Sequence, residues 1–114
     1  MIAVIFELAP REGAAQRYFE LAAELKAELD AIDGFVSVER FESLTRPGHY
    51  LSLSFWRDEE AVRRWRCHAM HRRGQREGRS SILAGYRLRV AGILRDYGLL
   101  DRDQAPADSQ QALI

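Results

Sequence analysis

The chain has 114 residues, no formal net charge, 46% apolar and 30% charged side chains, a composition that fits one globular domain and excludes a disordered or polyanion-coating chain. Its one cysteine, Cys67, rules out an intrachain disulfide and suits a reducing interior, so a cytoplasmic location is expected. No window approaches the roughly 20 apolar residues of a membrane span, and the short apolar start lacks the basic flank and cleavage site of a signal peptide.

Ile2 to Leu8 is a short apolar run closed by the turn cluster Pro10-Arg11-Glu12-Gly13, which predicts a buried first strand. From Ala14 the period changes. Tyr18, Ala22, Leu25, Leu29 and Ile32 recur at three- and four-residue spacing among charged residues, predicting an amphipathic helix with Gly34 at its C-terminal cap. Phe35 to Ser43 reads as a second strand, followed by a turn through Pro47-Gly48. A third strand from His49 puts Leu51, Leu53 and Phe55 on one face and Tyr50, Ser52, Ser54 and Trp56 on the other. Asp58 suits an N-cap, with Glu59 and Glu60 at the positive end of the helix dipole and Val62, Trp65 and Ala69 as the apolar stripe. Gly74 and Gly78 are expected to end or break this helix. Ile82 to Tyr97 reads as a long final strand with a bulge or close approach at Gly92.

The order β-α-β-β-α-β predicts an α+β, ferredoxin-like domain: an antiparallel sheet with helices on one face. Aromatic and aliphatic residues on both sides of the third strand predict that the second face is also covered, most simply by another copy of the chain. The domain is expected to span residues 1–97, with the polar stretch 98–114 as a tail that is mobile or docked on the partner.

Four segments carry a family likeness: IDGFVSVERFES (Ile32 to Ser43), LSLSFWRDEEAVRRW (Leu51 to Trp65), the His71, Gln75, Gly78-Arg79 run, and YRLRVAGILRDY (Tyr86 to Tyr97). In these the chain resembles the antibiotic biosynthesis monooxygenase family of dimeric α+β barrels. The resemblance implies a homodimer acting on a small aromatic or hydrophobic molecule. Relatives that oxidise polycyclic phenols without a cofactor imply a catalytic role for Trp65, for His71 (where they carry a tyrosine) and for Arg87; Ala61 stands where they carry an amide. Haem-degrading relatives also match at Trp65, but have an asparagine where Phe6-Glu7 stands and a histidine where Gln75 stands. The reading is a small monooxygenase, needing no cofactor, for an electron-rich aromatic or quinol-like substrate. The alternative is a non-catalytic or stress-related barrel that binds a small hydrophobic molecule or haem.

Tyr50, Trp56, His68, Gln75 and Tyr86 complete the expected binding surface; for Trp65, on the helix stripe with Val62 and Ala69, packing is the default explanation. His68 and His71 share a helix face but lack a third ligand at metal spacing, so no metal is expected. Seven arginines between Val62 and Arg79 surround the helix instead of forming a stripe, and stacking aromatics do not interleave them, so no nucleic-acid partner is expected.

Overall fold

The computed structural model describes residues 1–73 and 79–109, with the backbone alone for 70–73, 79 and 80. Strand β1 (Ile2–Pro10) leads into helix α1 (Ala15–Asp30), then β2 (Phe35–Glu42), β3 (Tyr50–Trp56) and helix α2 (Glu59–Arg73). A four-residue helix α3 (Arg79–Ile82), strand β4 (Leu83–Gly92) and a 3-10 turn (Ala107–Ser109) follow. The strands form one antiparallel sheet in the order β2-β3-β1-β4, with both long helices on one face. This is the α+β, ferredoxin-like arrangement. Among the described residues no helix is long and apolar enough to cross a membrane.

Register assigns the two faces. Val4 lies between Ser54 on β3 and Val90 on β4, and Val38 on β2 pairs Ser54; Phe6 lies likewise between Ser52 and Leu88, with Arg40 opposite Ser52. Because side chains alternate along a strand, these even-numbered residues face the helices. Odd-numbered Ile5, Leu51, Leu53, Arg87 and Arg89 face the other way, where Arg89 Nη1 donates to Glu7 Oε2 at 3.0 Å.

Two hydrophobic clusters hold the helices to the sheet at opposite ends of β1. Leu29, Trp56, Ala61 and Val62 form one, with Ile2, Val4 and Trp65 packed against it. Leu8, Ile82 and Leu83 form the other, joined by Tyr18, Leu21 and Tyr50. Asp58 caps α2 as expected: its Oδ1 accepts the Ala61 N–H at 2.9 Å. The same carboxylate meets the Arg57 guanidinium, which also grips both oxygens of Asp33 at 3.1–3.2 Å. These contacts hold the Asp58 and Asp33 carboxyls below the usual aspartate range, through the Ala61 N–H first for Asp58 and the Arg57 hydrogen bond first for Asp33.

Helix α1 ends earlier than Gly34, at Asp30, and a turn carries the chain into β2. Gly34 itself has φ +93, and its carbonyl accepts the Arg57 N–H at 2.7 Å. A Cβ at Gly34 would lie 2.7 Å from the Ala61 Cβ. The loop between α1 and β2 thus abuts the first turn of α2.

The last strand is shorter than the sequence suggests. Its expected span of Ile82 to Tyr97 contracts to Leu83–Gly92: among the described residues β1 is its one ladder partner, and Gly92 already faces Ile2. The Ile93 N–H bonds the Met1 carbonyl at 3.0 Å, just beyond that last pair. Gly92 is where pairing stops; the register shift on this edge lies at Ala9/Pro10 instead, where proline has no N–H to donate. Beyond β4, Asp96 N–H donates to Gln104 Oε1 at 2.8 Å, and the Arg102 guanidinium lies 5.2 Å from the centre of the Tyr97 ring, so the start of the 98–114 stretch turns back onto the residues just before it.

Candidate functional site

Between the two clusters the helices stand away from the sheet, leaving a cavity of about 310 Å³. Its floor is the middle of the sheet. There Ser52 and Ser54 occupy the inward face of β3 between the bulkier Tyr50 and Trp56, and two small side chains in adjacent rows leave depth that leucines would fill. Tyr18, Leu21, Leu25 and Leu29 form the α1 wall at helical spacing. Val62, Trp65, Arg66 and Ala69 form the α2 wall at the i, i+3, i+4, i+7 positions of one stripe.

Trp56 is 2% exposed and its indole is locked in place, with Nε1 donating to Ser54 Oγ at 2.9 Å. That bond satisfies both polar atoms inside an otherwise apolar wall. Trp65 is half-buried and stacks on His68, ring centres 5.6 Å apart and planes 28° apart. The polar lining is sparse: two serines, the hydroxyl of Tyr18, and the guanidinium groups of Arg40 and Arg66. Among the described residues no carboxylate lines the cavity.

Of the residues expected at the site, Trp56 and Trp65 meet across this cavity. The others fall elsewhere or go undescribed. Tyr50 shares the helix-facing side of β3 but packs edge-on against Phe19, 5.0 Å between ring centres, and belongs to the Leu8 cluster. Tyr86 faces the same way on β4, edge-on to Phe6 at 5.6 Å, yet stays 56% exposed beyond the cavity. Arg87 lies on the opposite face of the sheet, since it alternates with the inward-facing Leu88, so β4 does not bring it to Trp65. His68 turns toward α1, its Nε2 3.8 Å from Glu28 Oε1. The side chain of His71, and Gln75 altogether, lie outside the described residues.

The sequence reading missed the α1 wall, the serine floor and both arginines. Ser52 and Ser54 gave the available signal: two small polar residues on the inward face of a central strand, where a packed sheet carries valine or isoleucine. Haem would ask for an axial ligand. Among the described lining residues there is no His, Cys or Met, and the phenol of Tyr18 is the one group of a kind that can bind haem iron.

The sequence model for antibiotic biosynthesis monooxygenase matches residues 1–77. A jasmonate monooxygenase ABM of Pyricularia oryzae is 47% identical over 93 residues, covering 82% of this chain and 43% of its own length. The chain also spans only 63% of an uncharacterised Bacillus subtilis relative, so it is shorter than both of these relatives. Among solved structures, the heme-degrader MhuD of Mycobacterium tuberculosis aligns with a TM-score of 0.70 at 16% identity, over 86% of this chain and 100% of its own. SnoaB, a cofactor-independent oxygenase from Streptomyces nogalater, aligns at 0.62 and 17% identity, over 83% and 94%. At such identities these two speak for the fold alone, whereas the family model covers well over half of the chain and the fungal relative is 47% identical over 82% of it: the chain belongs to the antibiotic biosynthesis monooxygenase family.

Proposed function

We propose that the chain is a monooxygenase that oxidises a small, electron-rich organic molecule in the cavity between the sheet and the two long helices. The observation that carries this reading is the cavity itself: about 310 Å³, walled by apolar side chains and two tryptophans, with few polar groups to orient a guest. That is the character of a small-molecule site. The jasmonate monooxygenase relative supports oxygen chemistry on a small organic substrate.

In this reading the substrate supplies the electrons. A methylene made acidic by its neighbours loses a proton, the resulting anion reduces dioxygen, and the adduct collapses to a carbonyl. One oxygen atom enters the product and the other leaves in water with the two hydrogens of the methylene, so atoms and electrons balance without another reductant. Trp56 and Trp65 hold the ring system and exclude water, and His71 takes the proton. A neutral imidazole has the right basicity near pH 7.

Oxygen uptake with anthrone, whose methylene fits this stoichiometry, tests the reading. One mole of oxygen should be consumed per mole of anthraquinone formed. His71→Ala should slow turnover roughly 100-fold, and Ala69→Phe, which fills the cavity from the α2 wall, should stop it while the fold persists. Uptake no faster than in buffer, or turnover indifferent to Ala69→Phe, would sink the assignment.

We infer also that the chain works as a homodimer through the sheet face opposite the helices. Ile5, Leu51, Leu53 and Phe55 give that face its apolar surface, and Phe41 beside them is 43% exposed.

A further inference from the structure

We propose that the cavity takes a carboxylic acid, and that Arg40 and Arg66 are the clamp that reads its head group. The inference rests on the cavity being the substrate site.

Arg40 comes from the sheet, at the inward-facing position of β2 opposite Ser52. Arg66 comes from the opposite wall, next to Trp65 on α2. Both line the cavity and both remain solvent-exposed, so the two guanidinium groups belong to its rim.

Their lack of partners sets them apart. Arg57 is held by Asp33 and Asp58, Arg63 by Glu60, Arg64 by Asp33 and Glu60, and Arg89 by Glu7. Among the described residues neither Arg40 nor Arg66 makes an ion pair or side-chain hydrogen bond, and no acidic residue among them lines the cavity to neutralise the two. Two permanent positive charges therefore stand at the rim of an apolar chamber whose described lining holds no anion.

The complementary guest has an apolar body and one anionic end. A carboxylate suits the pair because each guanidinium can offer two parallel N–H donors to its two oxygens. Placement at the rim keeps the head group partly hydrated, which avoids the desolvation cost of a fully buried ion pair. The apolar body then lies inward over Ser52, Phe6 and Leu88. The arrangement fixes orientation as well as affinity: with the acid held at the rim, the far end of the guest is the part presented to the tryptophans.

Calorimetric titration of the full chain with decanoic acid and with methyl decanoate separates charge from apolar bulk. The acid should bind at least about 10-fold more tightly than the ester, the scale of one charge-assisted hydrogen bond. Arg40→Gln and Arg66→Gln should each remove most of that preference and leave ester binding unchanged. Ala69→Phe should abolish binding of both probes, which separates the cavity from a chance contact with surface arginines. Circular dichroism confirms that each variant is folded, and Arg66→Glu, reversing the charge, should make the ester the better ligand. Equal affinity for acid and ester, or a preference that survives both Gln variants, would overturn the clamp and leave the cavity reading standing. Failure of both probes to bind the wild-type chain would overturn both.

Discussion

Gly34→Ala is expected to destabilise the domain by an amount that can be divided into two causes. The first is backbone conformation. Gly34 has φ +93, a region that costs a residue with a Cβ about 1–2 kcal/mol. The second is the neighbour. The new Cβ would stand 2.7 Å from the Ala61 Cβ, and Ala61 is 0% exposed, with no room to retreat; overpacking of this kind costs about 1–3 kcal/mol. Together they predict a loss of about 2–5 kcal/mol, or about 10–20 °C in melting temperature for a domain of this size. Gly13→Ala is the internal control. Its φ is +78, but nothing lies within 4 Å of the added Cβ, so it should show the backbone cost alone. Urea denaturation of both variants gives the difference directly, free of the unfolded-state effect that both share. Adding Ala61→Gly to Gly34→Ala should recover the contact portion in a double-mutant cycle. Equal losses for Gly34→Ala and Gly13→Ala would refute the claim that the α1–β2 loop bears directly on the start of α2.

Trp56→Phe should cost about 2 kcal/mol, because it leaves a gap in the Leu29 cluster and strands the Ser54 hydroxyl that the indole now satisfies; adding Ser54→Ala should restore part of it in the same urea assay. Folded-state pKa values of Asp33 and Asp58 are depressed, so their stabilisation is present above the ordinary aspartate value of about 3.9 and is lost as pH falls through the lower folded values. Melting temperature should therefore decline below about pH 4, and Arg57→Gln should flatten that decline; an unchanged profile would show that these exposed contacts contribute nothing. Light scattering at micromolar concentration should return the mass of two chains, and Leu53→Glu on the open sheet face should return one; a monomeric wild-type chain would remove the proposed interface.

What could be read from the sequence was whatever a local pattern determines. The cap at Asp58, the α2 stripe of Val62, Trp65 and Ala69, and the alternation of β3 each follow from neighbours within a few residues, and all three are present in the fold. The extent of β4 was not legible, because it depends on where β1 begins, some 90 residues earlier. Nor was the role of Arg40. Its inward orientation follows from a register passing through β3 to β1, and its freedom from ion pairs depends on which carboxylates other arginines occupy. The opposite orientations of Tyr86 and Arg87, by contrast, are set by strand alternation alone; only the side of the sheet that carries the helices had to come from the tertiary structure.

The two hydrophobic clusters at either end of β1 have a thermodynamic consequence. With the cavity between them, neither supports the other through the middle of the domain, and a guest in that space would turn two small cores into one. Occupancy by a ligand that ignores the unfolded chain adds about 2.7 kcal/mol when its concentration reaches 100 times its dissociation constant, a sizeable fraction of a small domain's entire stability. Heat resistance and molecular recognition are therefore coupled through the same empty volume. A library of small organic acids, ranked only by how far each delays unfolding, would let the protein select its own substrate.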